Sequence, residues 1–121
     1  MKINVGVIFG GRSVENEISV ITAAQTMAAM NEEKYNIVPI YISKEGHWYT
    51  GDKLMITDNY RDMKALLASV EEVYFRPIYG DNKLYKVRKP MFGSDVVTTI
   101  DVILPCLHGT SGEDGSFQGL I

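Results

Sequence analysis

Three apolar runs of different character order the chain. Residues 3–9, from Ile3 through Val5, Val7 and Ile8 to Phe9, are β-rich with little alternation. That pattern fits a strand buried on both faces, as in a parallel sheet. Gly10-Gly11-Arg12-Ser13 follows at once. Ser13 is the expected helix N-cap, its hydroxyl accepting from an orphan N–H of the first turn. From Val14 to Met30 the residues Ile18, Ile21, Ala24, Met27 and Ala28 recur at helical spacing, which predicts one stripe packed on the sheet. Asn31-Glu32-Glu33 ends that helix, and residues 36–42 form the next strand. Strand, helix and strand in this order fit a right-handed βαβ unit.

The middle of the chain is less regular. Lys44-Glu45-Gly46 reads as a turn, with His47-Trp48-Tyr49 on the return. Residues 59–70 carry Met63, Leu66, Leu67 and Val70, a short amphipathic helix. Residues 73–79 and 84–88 alternate about Gly80-Asp81-Asn82-Lys83, a hairpin signal. Neither a repeat nor a low-complexity linker interrupts the pattern. The elements predict a three-layer α/β domain with a mainly parallel sheet and a small antiparallel decoration.

The last apolar run, Asp101-Val102-Ile103-Leu104-Pro105-Cys106, reads as a buried strand. It opens into Leu107-His108-Gly109-Thr110-Ser111-Gly112-Glu113-Asp114-Gly115-Ser116-Phe117-Gln118-Gly119, with four glycines in eleven residues from Gly109. Glycine lets backbone N–H groups approach a ligand closely. A strand feeding such a loop, with a helix expected near Ser116, forms a ligand cradle at the strand's carboxyl end. The first strand also ends in glycines. If the two strands are near neighbours, both loops face one crevice.

Composition narrows the class. The chain has 121 residues, about one domain, and a net charge of −3. It carries no electrostatic footprint for nucleic acid or an anionic membrane. One cysteine excludes an internal disulfide and a cysteine-based zinc cage. No apolar stretch is long enough to span a bilayer, and Gly10-Gly11-Arg12 cuts short the only signal-like run. A reduced, cytoplasmic setting is expected. The last residue, Ile121, falls just after the start of an expected helix, which points to a fragment of a longer polypeptide.

Candidate chemistry lies in the two loops. Glu15, in the expected first helical turn, is favoured in its ionised form by the helix dipole and could hold a substrate ammonium. By position alone a helix-terminus charge is the better reading of Glu15, and the same holds for Glu17. His108 could orient a carboxylate or phosphate, act as acid or base, or hydrogen-bond its own loop. Glu113 and Asp114 diverge as turn neighbours and read as loop braces. Cys106 reads as core, and Met27 and Met30 as packing residues. His47 is assigned no chemistry. The chain has neither a G-x-x-x-x-G-K-[ST] loop nor a G-x-G-x-x-G or G-x-S-x-G motif.

Together, residues 9–19 (Phe9-Gly10-Gly11-Arg12-Ser13-Val14-Glu15-Asn16-Glu17-Ile18-Ser19) and 107–119 resemble the two signature stretches of D-alanine–D-alanine ligases. The order of the two stretches and the intervening elements also fit, whereas residues 43–99 carry no family signature. The resemblance implies that residues 1–121 are the N-terminal, Rossmann-like (pre-ATP-grasp) substrate-binding domain of a three-domain ATP-grasp ligase. Its central and C-terminal domains are absent from this fragment. The implied reaction is phosphorylation of one D-alanine by ATP, then attack of a second D-alanine on the acyl phosphate, for peptidoglycan, cell-wall biogenesis and cell shape. By resemblance, Glu15 is catalytic and binds the ammonium of the first D-alanine. Ile18 lies against its methyl group, His108 orients it, and Glu113 supports His108. Gly10, Gly11, Ser13, Gly109 and Gly112 shape the loops. No cofactor or metal site is expected in this fragment; ATP and Mg2+ (or Mn2+) are implied for the full-length enzyme. The implied partners are D-alanine, the other two domains and a second copy in a homodimer. Close relatives making D-alanyl-D-lactate or D-alanyl-D-serine share these motifs. A non-catalytic Rossmann-like binding module is the alternative from a different class.

Overall fold

The computed structural model describes residues 2–11, 16–76, 80–88 and 90–106, with Asn16 and Glu17 as backbone. The βαβ unit is present: strand β1 (Ile3–Gly10), helix α1 (Asn16–Ala29) and strand β2 (Tyr35–Ile42). β1 pairs in parallel with β2 on one side and with β7 (Val102–Cys106) on the other. Central position explains its unalternated sequence, since Val5 to Gly10 are buried on both faces. Pro39 is tolerated within β2 because the ladder to the next strand begins only at Ile40, so no donor is missed on that side.

The other strands depart from a mainly parallel sheet. The seven strands run in the order β6-β5-β4-β3-β2-β1-β7. β3 (Trp48–Thr50), β4 (Glu71–Phe75), β5 (Lys83–Lys86) and β6 (Val96–Thr99) add four antiparallel pairings to the two parallel ones. The antiparallel part is thus no decoration but the larger share of a continuous sheet. The connection from Ile42 to Trp48 is too short for a crossover and can join only antiparallel neighbours. β6, within the span left without an element by its sequence pattern, forms from Val96, Val97, Thr98 and Thr99.

Helices cover one face. Val5, Val7 and Phe9 pack with Val20, Ala23 and Met27 of α1, with Leu66 of α2 (Met63–Ser69), and with Leu54. Asp62 caps α2, its carboxylate accepting from the Ala65 N–H at 3.2 Å. Two 3-10 helices, Asp52–Met55 and Thr57–Arg61, lead into α2. The face of α1 differs from the expected stripe. Ser19, Val20, Ala23 and Met27 are buried, while Ile18 and Ile21 are 54% and 55% exposed and Ala28 is exposed. The stripe missed because apolar residues occur almost all round the helix, so a polar group decides its rotation: the Ser19 hydroxyl must reach buried backbone.

The other face is covered by the sheet itself. Ile8, Val38, Ile40 and Ile42 pack with Val73, Leu84 and Ile100. Only Ile100 and Asp101 separate β6 from β7, strands at opposite edges of the sheet, so the sheet curls until those edges approach. Gly6 permits this closure: a Cβ there would stand 3.1 Å from both Ile100 Cγ2 and Ile40 Cδ1. Asn4 staples the seam. Its Nδ2 donates to the Thr99 carbonyl at 2.7 Å, its Oδ1 accepts from Asn36 Nδ2 at 3.0 Å, and its carbonyl accepts from Asp101 N–H at 2.8 Å. The third layer is therefore made of strands among the described residues. Each large apolar side chain so buried contributes about 1.5–3 kcal/mol.

Candidate functional site

The two glycine-rich loops leave from adjacent strands. β1 and β7 are hydrogen-bonded parallel neighbours, with Phe9 opposite Cys106 at the carboxyl end of the ladder. The expected juxtaposition of their exits follows from that register. In open parallel sheets this end is where ligands bind.

Backbone geometry at the first exit is unusual and specific. Gly10 and Gly11 have φ of 91° and 108°, a region glycine enters without strain. The Gly11 N–H donates to the Ile42 carbonyl at 2.8 Å, tying the β1 exit to the end of β2. A Cβ on Gly10 would stand 2.3 Å from the Ile42 carbonyl oxygen and 2.8 Å from the Tyr41 ring. Glycine is required there by both conformation and space.

Ser19 joins this exit to the second one. Its side chain is fully buried, and its Oγ accepts from the Gly10 N–H at 2.8 Å. The same hydroxyl donates to the Cys106 carbonyl. A residue on α1 thus holds the last backbone groups of β1 and β7 through one atom. Sequence reading passed over Ser19 because a serine inside a helical pattern reads as a solvated position. Its nearest signal was its place four residues after Glu15, beside a glycine-ended strand.

Cys106 is half-buried against this helix. Burial pushes its thiol above the ordinary value, opposed by a hydrogen bond with Thr26. It is packing material, not an activated nucleophile. Ile18 is exposed at the start of α1, and Gly10 and Gly11 are placed as described. Ser13, Glu15, His108, Gly109, Gly112 and Glu113 lie outside the described residues.

A cavity of about 620 Å³ opens beside this region, between α1 and the segment leading into α2. Val20, Ile21, Tyr41, Tyr60, Met63 and Leu67 form its apolar wall. Tyr60 stands edge-on to Tyr41 at 5.6 Å and donates to the Leu54 carbonyl at 2.7 Å; burial first, then Tyr41, pushes its hydroxyl pKa upward. Among the described residues, Gly10, Gly11 and Cys106 do not line this cavity. His47 pairs with Glu72 at 3.1 Å on the antiparallel half, both exposed. Among the described residues no three His, Cys, Asp or Glu side chains group as a metal site. No described helix is long and apolar enough to cross a membrane.

Comparison with known proteins gives this geometry a family. Residues 4–121 match the family described as D-ala D-ala ligase N-terminus. The D-alanine--D-alanine ligase of Thermosipho melanesiensis is 38% identical over 120 residues, which cover 98% of this chain and 31% of the relative. That of Geobacillus thermodenitrificans is 40% identical over 124 residues, covering 100% and 32%. Among solved structures, the VanG D-Ala:D-Ser ligase from Enterococcus faecalis superposes with a TM-score of 0.76 at 30% identity, over 99% of this chain and 33% of that one. The D-alanine-D-alanine ligase from Coxiella burnetii gives 0.77 at 29%, over 98% and 32%. The chain therefore spans about a third of the length of the curated relatives it matches. Matched across nearly its whole length, the chain belongs to the D-alanine–D-alanine ligase N-terminal domain family.

Proposed function

We propose that residues 1–121 form the first-substrate-binding domain of an ATP-dependent D-alanine–D-alanine ligase serving peptidoglycan synthesis. The observation that carries this reading is the parallel β1–β7 pairing, which sets the exits of both family motifs side by side. Within this chain the work is binding and orientation. Glu15 pairs with the ammonium of the first D-alanine, Ile18 meets its methyl group, and His108, braced by Glu113, orients it. The glycines at the loop exits let backbone approach the substrate. ATP and Mg2+ (or Mn2+), which activate the substrate carboxylate, fall to the central and C-terminal domains of the same polypeptide. The enzyme is cytoplasmic and homodimeric in this reading, with neither nucleic acid nor membrane as a partner. The structural likeness to a D-Ala:D-Ser ligase keeps D-serine as a second-substrate alternative, beside D-lactate. The ligase reading is favoured over a non-catalytic module by the family match across residues 4–121.

The test uses the complete ligase. It should form D-alanyl-D-alanine from ATP and D-alanine, and competing D-serine or D-lactate identifies the second substrate. Glu15→Gln keeps volume and removes the charge paired with the ammonium. Hydrogen bonds to charged groups contribute about 1.5–3 kcal/mol, so kcat/KM for the first D-alanine should fall roughly ten- to a hundred-fold. Unchanged kinetics would return Glu15 to a helix-terminus role.

A further inference from the structure

Ser19 lies outside every role assigned so far, yet it joins the two loop exits through one hydroxyl. β7 is an edge strand, and its pairing with β1 ends at Phe9 and Cys106. Past that point β1 keeps a second neighbour, since Gly10 still pairs with Ile42 and Gly11 N–H reaches the Ile42 carbonyl. Among the described residues β7 has no second neighbour within this sheet. The bond from Ser19 Oγ to the Cys106 carbonyl ties the backbone of the last residue of β7 to the helix and, through Gly10 N–H, to β1, beside the hydrogen bond of the Cys106 thiol with Thr26.

The residue type fits that task. A hydroxyl accepts and donates through one atom, so one short side chain can bridge an N–H and a carbonyl. Alanine would remove both bonds. Threonine would add a methyl group where Ser19 has no exposed surface. Cysteine keeps the shape but is a weak donor and acceptor. Ser19 itself is fully buried, and its bond with the Gly10 N–H is buried too.

We propose that Ser19 is a positioning residue: it sets the separation of the β1 and β7 exits, and through it the affinity of the ligase for its first substrate. The second half of this statement rests on the ligase reading; the first half rests on geometry alone. Misplacement of a site by about an ångström by a mutation away from the chemistry can cost on the order of a hundred-fold in rate.

Two measurements on the complete ligase decide it. Thr50 supplies the control: it is another buried hydroxyl, donating to the Pro39 carbonyl at 2.7 Å on the antiparallel side of β2. Thr50→Val removes that bond without touching either exit. Ser19→Ala should raise KM for the first D-alanine and lower kcat/KM roughly ten- to a hundred-fold, well below its melting temperature, while KM for ATP stays unchanged. Thr50→Val should lower the melting temperature yet leave kcat/KM within about two-fold. Ser19→Cys, which keeps the volume, serves if the alanine variant fails to fold, with the same expected shift in KM. Equal kinetics in the Ser19 and Thr50 variants would overturn the proposal. Independently of turnover, hydrogen exchange of peptides covering Gly10 should accelerate in Ser19→Ala and not in Thr50→Val. A wild type that forms no D-alanyl-D-alanine would sink the ligase reading while exchange still reports on the bridge. Unchanged exchange at Gly10 would sink the bridge itself.

Discussion

Replacing Gly10 by alanine should be among the most damaging single-methyl changes in this fold. Two costs combine. Gly10 has φ of 91°, and a non-glycine residue held in the left-handed region loses roughly 1–2 kcal/mol. The new Cβ would also meet the Ile42 carbonyl oxygen at 2.3 Å and the Tyr41 ring at 2.8 and 2.9 Å. Backbone cannot swing aside as a flexible side chain can, and Tyr41 is wedged between Phe9 and Tyr60, each ring 5.6 Å away. Overpacking of this kind costs typically about 1–3 kcal/mol. The total is about 2–5 kcal/mol, a large part of the stability of a small domain. An unfolding entropy of about 2.1 cal/mol/K per residue over 121 residues is about 0.25 kcal/mol/K, so the melting temperature should fall by roughly 8–20 °C. Gly80 isolates the steric share. Its φ is 84°, but nothing lies within 4 Å of a Cβ placed there. Gly80→Ala should therefore carry only the conformational cost, a fall of roughly 4–8 °C. The assay is thermal unfolding of both variants by circular dichroism under identical conditions. Equal shifts for the two would show that enclosure at the β1 exit contributes nothing, and the close approach argued for Gly10 would be wrong.

Further perturbations probe the seam and the edge strand. Asn4→Ala removes the bonds to Thr99 and Asn36 and should cost about 1–3 kcal/mol. Asn4→Asp should cost more at neutral pH, since a carboxylate would face the Thr99 carbonyl; thermal melts that rank the two in reverse would refute the donor role. The Cys106 thiol, half-buried with its pKa raised by burial, should react with iodoacetamide at pH 7.5 at least about ten-fold more slowly in the folded chain than in denaturant. Mass spectrometry giving equal rates would count against its packing role.

What the sequence made legible was governed by local chemistry. The βαβ unit, the last strand and the glycine turn after Phe9 each follow from a run of residues and its immediate flanks. Both-face burial of β1 was readable because β-branched residues without alternation leave few other fates. The count of parallel strands was not readable from the strands themselves. It was fixed by the brevity of the links between them, and the Ile42–Trp48 link was already short enough to demand an antiparallel return. β6 carried its signal openly, in four residues that are all Val or Thr, but half-burial on both sides gave no alternation to catch.

The rotation of α1 shows where pattern reading fails for a physical reason. Apolar residues on most of its surface make several faces nearly equivalent for burial. A few apolar contacts more or less differ little in free energy, whereas leaving the buried Gly10 N–H unpaired costs about 1–3 kcal/mol, and the half-buried Cys106 carbonyl adds to that. The choice among faces therefore falls to the Gly10 N–H and the Cys106 carbonyl, which the single Ser19 hydroxyl satisfies together. Those two groups come from strands 97 positions apart by the register of Phe9 with Cys106, so no window along the chain contains the information. The hydroxyl that orients the helix is the same one that ties the loop exits. Helix rotation and site geometry are consequently one degree of freedom here, and a change at Ser19 should move both.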